Sequence, residues 1–394
     1  MRNMKKGIGN SIVFICAMVF LITGLTGRGM IRGMRQILTE VHQDRTLDIN
    51  IERFSAWMER IDEVLEESLS YHDWLLDLDS IKQNLEGTRI VVKPDMTVVK
   101  TQADRLASFQ EEQTIEMIQN NAAYFENIQK IAEENGARFL CCPVPQKAIF
   151  ETPPSNIVNY NRSNYEKTLK QLEQRQIPYL DLCNHFNEES EGDLYFVTDH
   201  HWKPLTGFDV SRAICEKLQQ LYGFNYQKKY TDLSSYEVKT LRNWFLGALG
   251  KKTGRFFVWS AAEDFDLIIP KFETELTEEI PAMNQIRKGD FQDVIFDQKF
   301  LIKDYYHSNT YAAYSGGDHR LQIYRNHKMP EGPKIVVVRT SYACVVTPFL
   351  ALQFSQLHLI DDREGNYPEG DIINLEDYLK TEKPEYVLVI ESLT

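Results

Sequence analysis

The apolar positions of this chain change rhythm along its length. No charged residue occurs between Gly7 and Gly27, and Ile12 to Leu25 is almost wholly apolar. Roughly 20 such residues in a helix cross a hydrocarbon core of about 30 Å. Arg2, Lys5 and Lys6 precede the run, so the positive-inside bias keeps the short N-terminus in the cytoplasm. A cleaved signal peptide is the alternative. No clear A-x-A-like site follows, and Arg28 and Arg32 come soon after, so an uncleaved signal anchor is expected. Residues 28–394 are then expected to lie outside the cytoplasm.

Downstream the period becomes helical. Ile51, Phe54, Trp57, Met58, Ile61, Val64 and Leu65 recur at helix spacing within a charged stretch, 28–85, that reads as a stalk. Two β-branched runs around Pro94-Asp95, within 89–100, signal a hairpin. A helix is expected from about Gln102 to Asn135. It is followed by a short buried strand, 137–143, a helix from Tyr165 to Gln176, a second strand at 177–182, and a helix from Pro204 to Tyr222. Residues 225–330 are less regular. Alternation then resumes with a strand at 334–338, a helix from Tyr342 to Ser355, a strand at 357–361, a helix around 375–380 and a last strand at 386–390. Strand–helix alternation predicts an α/β fold with a mostly parallel sheet and flanking crossover helices. The expected organisation is a cytoplasmic stretch at 1–6, an anchor at 7–27, a stalk at 28–85 and one domain at 86–394.

Composition narrows the classes. The chain has 394 residues, and 44 Lys plus Arg against 57 Asp plus Glu give a net charge of −13, the wrong balance for a nucleic-acid footprint. Zinc-ribbon spacing, a P-loop and G-x-G-x-x-G are missing from the sequence, so neither a cofactor nor a structural metal is expected. Cys16 falls in the membrane run. Cys141, Cys142, Cys183, Cys215 and Cys344 have apolar neighbours and read as buried free thiols rather than a disulfide framework.

Two places carry chemistry. Ser341 follows an apolar strand and precedes an expected helix, and ligands gather at the carboxyl edge of a parallel sheet. Backbone N–H groups at a helix start can hold an oxyanion. A serine alone is a weak nucleophile and needs a base and an orienting acid. Without them Ser341 is a helix N-cap. Thr198-Asp199-His200-His201-Trp202 supplies an acid, two imidazoles and an aromatic wall on which a sugar could stack. The plainer readings of that cluster are a structural His–Asp hydrogen bond or a metal site of Asp199, His200 and His201, which would need further ligands.

The run from Thr198 to Gly207, Thr-Asp-His-His-Trp-Lys-Pro-Leu-Thr-Gly, resembles the signature of the DHHW family, which is similar to the AlgX/AlgJ-type SGNH-hydrolase-like proteins of exopolysaccharide O-acetylation. The resemblance extends over about 85–394. It takes in the hairpin, Gly247 to Gly254, Ser315 to His319, the Ser341 segment and Asp361-Asp362-Arg363. It implies a flavodoxin-like, SGNH-type sheet in permuted order. In the family motif Asp-x-His-Trp, the Asp and His join a later serine. That makes Asp199 the acid, His201 the base and Ser341 the nucleophile, and leaves His200 on the variable position. Many DHHW sequences carry an acid before the serine. Here Arg339-Thr340 stands there, closer to the AlgX-type form.

The resemblance further implies an acetyl-serine intermediate and a polysaccharide acceptor. It also implies an acyl donor held by an integral membrane acyltransferase, with the site outside the cell membrane. His200, Trp202, Tyr342, Arg363, Gly247 and Gly317 are candidate substrate contacts. A surface ion pair is an equal reading of Arg363, and turn glycines of Gly247 and Gly317. A carbohydrate acetylesterase with the same three residues, or a non-catalytic glycan-binding or assembly subunit, remains open.

Overall fold

The structure is a computed structural model describing residues 72–189, 193–259, 262–363, 367–368 and 372–392. The expected anchor at 7–27, the stretch before it and the stalk up to residue 71 lie outside the described residues. Among the described residues no helix is long and apolar enough to cross a membrane. Contacts divide the chain into two units, Met1–Lys82 and Gln83–Thr394. The first is described only in the opening turns of a helix, His72–Leu85, where Ser80 donates its hydroxyl to the Asp77 carbonyl at 2.7 Å.

In the second unit the expected hairpin is present. β1 (Ile90–Val92) and β2 (Thr97–Lys100) pair antiparallel, with Val91 opposite Val98, and β3 (Leu106–Ala107) adds to β2. β4 (Arg138–Val144) belongs to the main sheet. β5 (Tyr236–Phe245) and β6 (Glu263–Pro270) form a separate antiparallel ribbon. The remaining strands are β7 (Leu276–Ile280), β8 (Gln285–Gly289), β9 (Leu321–Asn326), β10 (Lys334–Arg339), β11 (Gln356–Ile360) and β12 (Tyr386–Ser392). The main sheet runs β4-β12-β10-β11-β9-β7-β8.

The expected mostly parallel sheet is a mixed one. The pairings β4–β12, β12–β10 and β10–β11 are parallel, whereas β11–β9, β9–β7 and β7–β8 are antiparallel. The antiparallel half comes from the segment that looked irregular. Its disguise is physical: the middle inward position of β7 is Glu278, fully buried and held by Arg287 at 2.5 and 2.8 Å and by Gln322 at 2.7 Å. A charge at a core position breaks the apolar alternation that marks a half-buried strand.

The parallel half is covered on both faces, which explains its continuous apolar runs. Ile335 and Val337 join one core cluster with Leu388 and Leu140, while Val336 and Val338 join the other with Val387 and Phe139. Helix Pro204–Tyr222 packs on the first face through Phe208, Val210 and Ile214. Helices Ile115–Glu134 and Asn161–Gln174 pack on the second through Phe125, Ile128 and Leu172. Local chemistry fixes the ends of these helices. Thr114 caps the first by accepting from the Met117 N–H, and Pro204 opens the third in a first turn that needs no N–H donor.

Three expected elements differ. The helix expected from about Gln102 begins only at Ile115, capped by Thr114, and β3 occupies Leu106–Ala107 within the stretch before it. Residues 177–182 make a single bridge, Tyr179 to Cys141, instead of a strand, because Leu182 already begins the helix Leu182–Glu189. The expected helix from Tyr342 to Ser355 is a 3-10 turn, Ser341–Val345, followed by one short α-turn, Thr347–Leu350. The described cysteines, Cys141, Cys142, Cys183, Cys215 and Cys344, are free and buried, as expected.

Candidate active site

Ser341 lies just beyond the carboxyl end of β10, a strand paired on both sides. The ladder continues one residue past the strand, where Thr340 N–H donates to the Ile390 carbonyl at 3.0 Å. The chain then turns, and Thr340, not Ser341, holds the cap position. Ser341 is half-buried, while Tyr342 to Val346 are buried. Helix Pro204–Tyr222 presses directly on this turn: a Cβ on Gly207 would meet the Val345 carbonyl oxygen at 2.5 Å. A glycine there allows the helix that follows the Asp-His-His-Trp run to touch the serine turn.

Asp199, His200 and His201 sit on a tight reversal closed by an antiparallel bridge between Tyr195 and Trp202 and by Phe196 N–H donating to the His201 carbonyl at 3.2 Å. The Asp-x-His spacing has a local reason. Asp199 Oδ1 accepts from the His201 backbone N–H at 2.9 Å, a turn that Asp favours, and the same oxygen lies 2.7 Å from His201 Nδ1. His201 Nε2 is 2.7 Å from Ser341 Oγ. The acid and imidazole are 3% and 9% exposed. Three residues expected to meet therefore do meet, across 140 residues of sequence.

Asp199 is held as a carboxylate. Burial alone pushes its pKa up. The charge of His201, then that of His200, and the hydrogen bonds from His201 outweigh this and hold it well below the usual carboxylate range. Its other oxygen accepts from the Ala248 N–H at 2.5 Å. Gly247 is needed at that approach, since a Cβ there would meet Asp199 Cβ at 2.3 Å.

His200 stands apart from the relay. Its side chain is 41% exposed overall, but its Nδ1 is buried and lies 3.4 Å from Asp199 Oδ1 without hydrogen-bond alignment. Burial first, then the charge of His201, lowers its pKa to about 4. Ligand atoms of Asp199, His200 and His201 lie within 4.8 Å of one another, the only such group among the described residues. Both ring nitrogens of His201 are already committed, so a metal there would have to displace one of the relay bonds.

Trp202 is no sugar platform. It is fully buried, and its indole N–H donates to the Tyr342 carbonyl at 2.9 Å. Tyr342 returns a bond from its hydroxyl to the His200 carbonyl at 3.1 Å. The two aromatic rings staple the histidine turn to the serine turn. Arg363 is bound by Asp361 at 2.8 and 2.5 Å and by Asp318 at 2.8 Å, which favours the ion-pair reading over a substrate contact. Gly317 takes a φ of +99° and its carbonyl accepts from Arg339 at 3.2 Å. Arg339, almost fully buried, also pairs with Asp318.

Sequence reasoning missed three neighbours. Tyr311, in the turn Thr310–Ala313, stacks on the His201 ring at 4.2 Å and 21°. Lys147 donates to a carbonyl, and Glu263 accepts from an N–H, of the backbone of the Asp199 turn. Lys147 had a faint signal as the one charge between Phe139 and Phe150. Glu263 and Tyr311 had none.

Residues 105–243 match the family model of the SGNH hydrolase-like domain of acetyltransferase AlgX. Over that stretch the chain is similar to the SGNH hydrolase-like domain of AlgX, the resemblance expected from its motif. The matched stretch contains Asp199 and His201 but ends before Ser341. No curated protein matches the chain. A solved DHHW family protein from Eubacterium siraeum shares the fold at 18% identity and TM-score 0.60, over 77% of this chain and 92% of that one. Bacillus cereus PatB1 with a sulfonyl adduct is similar at 19% identity and TM-score 0.61, over 77% of this chain and 95% of that one. The O-acetyltransferase domain of Pseudomonas putida AlgJ aligns at 16% identity and TM-score 0.44, over 75% and 90%.

Proposed function

We propose that this protein is an extracytoplasmic O-acetyltransferase that modifies a cell-surface or secreted polysaccharide through an acetyl-serine intermediate. The observation that carries the reading is the Asp199–His201–Ser341 relay, with 2.7 Å at each link, whose acid and base lie in the stretch similar to AlgX. Asp199 holds the His201 tautomer whose Nε2 faces the serine. His201 takes the Ser341 proton as Oγ bonds to the acetyl carbon, then gives it to the departing donor oxygen. A sugar hydroxyl next attacks the acetyl carbon, losing its proton to His201, and Ser341 leaves with that proton. The Ser341 and Tyr342 N–H groups open the 3-10 turn and, among the described residues, donate to no protein acceptor, so they suit the oxyanion.

A sulfonyl adduct on PatB1, a protein of similar fold, supports an activated nucleophile in this architecture. On this reading residues 7–27 anchor the chain in the cell membrane, and an integral membrane acyltransferase hands it the acetyl group. The test is turnover of a chromogenic acetyl ester by the purified full chain, with and without acceptor glycan, beside Ser341→Ala. Acetylated glycan formed only by the unmodified protein supports transfer. Ester turnover that ignores the acceptor and leaves the glycan bare identifies an esterase. Equal turnover by both proteins removes the serine mechanism.

A further inference from the structure

The reversal that carries Asp199 and His201 is not part of a named strand or helix, yet it is buried, so its backbone polar groups must find partners. Two charged side chains from distant segments supply most of them. Lys147, in the turn Lys147–Phe150 just after β4, donates to the carbonyls of Phe196 at 2.6 Å, Val197 at 2.8 Å and Asp199 at 3.1 Å. Glu263, the first residue of β6, accepts from the N–H groups of Val197 at 2.5 Å and Thr198 at 2.8 Å and from the Thr198 hydroxyl at 2.6 Å. The loop around Gly247 and strand β3 add further bonds: Gly247 N–H donates to the Thr198 hydroxyl, Gly250 N–H to the Thr198 carbonyl and Leu106 N–H to the Val197 carbonyl, each at 2.9 Å.

We infer that Lys147 and Glu263 are positioning residues for acyl transfer, holding the carbonyls and amides of one short segment so that Asp199 and His201 point at Ser341. The inference rests on the acyl-transfer reading above. Neither side chain touches the reacting atoms. Lys147 is only 3% exposed, and an uncompensated buried ammonium is strongly disfavoured. Charge-assisted hydrogen bonds to three carbonyls are what make its position tolerable. All three ammonium protons are used, so the arrangement requires the protonated lysine. A neutral amine would turn a lone pair toward one carbonyl.

The groups facing Lys147 are Arg105 ahead of the β3 strand, Glu151 beyond its own turn, Glu263 on β6, and Asp199 and His200 on the reversal. Burial first, then Arg105, brings its pKa down to about 7 against the pull of the carboxylates. Rising pH then removes a donor from the carbonyls beside Asp199. Turnover should therefore carry an alkaline limb set by Lys147. Arginine stays charged throughout this range, so Lys147→Arg should move the limb.

The experiment measures kcat and KM for an acetyl ester against pH, with thermal melts, on the full chain and on Lys147→Met, Lys147→Arg and Glu263→Gln. Misplacing a catalytic group by about 1 Å costs on the order of a hundredfold, so Lys147→Met should lower kcat by roughly that factor with KM within about twofold. Glu263→Gln should lower it about tenfold, and Lys147→Arg should keep more activity than Lys147→Met and lose the alkaline limb at its original position. An unmoved limb in Lys147→Arg, or a kcat loss no larger than the unfolded fraction explains, overturns the inference. Should Lys147→Met fail to fold, the limb in Lys147→Arg and the kcat of Glu263→Gln decide by the same criteria. A wild-type protein that neither turns over ester nor reacts with phenylmethylsulfonyl fluoride overturns the acyl-transfer reading and this inference with it. Normal wild-type turnover with unaltered variants overturns this inference alone.

Discussion

The two segments that meet at the site are held by opposite means. Ser341 follows a strand locked between two parallel neighbours, and its position follows from ladder bonds and a double-sided apolar core. Asp199 and His201 ride on a reversal held by Lys147, Glu263, a glycine contact and their own hydrogen bonds. The nucleophile is placed by backbone regularity. The acid and base are placed by polar side chains. A relay of this kind needs both at once, so each half can be disturbed separately.

The largest effect belongs to the strand half. Ser341→Ala removes the attacking oxygen from a half-buried position, and kcat for an acetyl ester should fall about ten-thousandfold or more with melting temperature nearly unchanged. Asp199→Asn strikes the reversal. It leaves an amide against His201 and the Ala248 N–H, favours the wrong imidazole tautomer, and should cost about a thousandfold or more in kcat.

Acid bears on the stability of the strand half through His358. His358 on β11 is buried, and burial above all lowers its pKa from 6.5 to about 4 in the folded protein. The unfolded chain takes up that proton first as pH falls, so stability is complete above about 6.5 and is lost on the way down to about 4. The share is about 3 kcal/mol. Denaturant titrations across that range should show it, and His358→Gln should flatten the dependence by that amount. Gly247→Ala drives a Cβ into Asp199 and should destabilise by about 2 kcal/mol while lowering kcat at least about tenfold. The smallest effect is expected of Trp202→Phe. It deletes the indole bond to the Tyr342 carbonyl, costs about 1 kcal/mol in melts, and reduces turnover severalfold by loosening one turn against the other.

The same contrast governs what the sequence discloses. β10, β11 and β12 read as apolar runs because they are buried on both faces, and the serine could be placed at a strand end from them. The antiparallel strands around Glu278 were hidden because a buried charge compensated by Arg287 looks like a surface residue in sequence. The Asp-x-His pair was legible as a motif whose spacing serves one turn. Its supports were not, because Lys147 and Glu263 act over about 50 and 65 residues of separation. Trp202 was misjudged, and Arg363 left between two readings, for a related reason. An aromatic or an arginine beside a catalytic motif looks like a substrate contact until its hydrogen-bond partners are known.

If the relay acts as proposed, Ser341 is the acetyl carrier. The direct measurement is peptide mapping by mass spectrometry after rapid acid quench of the full chain mixed with an activated acetyl ester. One acetyl group should appear on the peptide containing Ser341, formed in a burst and suppressed in His201→Ala. Acetyl found on another residue, or on Ser341 at the same rate with and without His201, would contradict it.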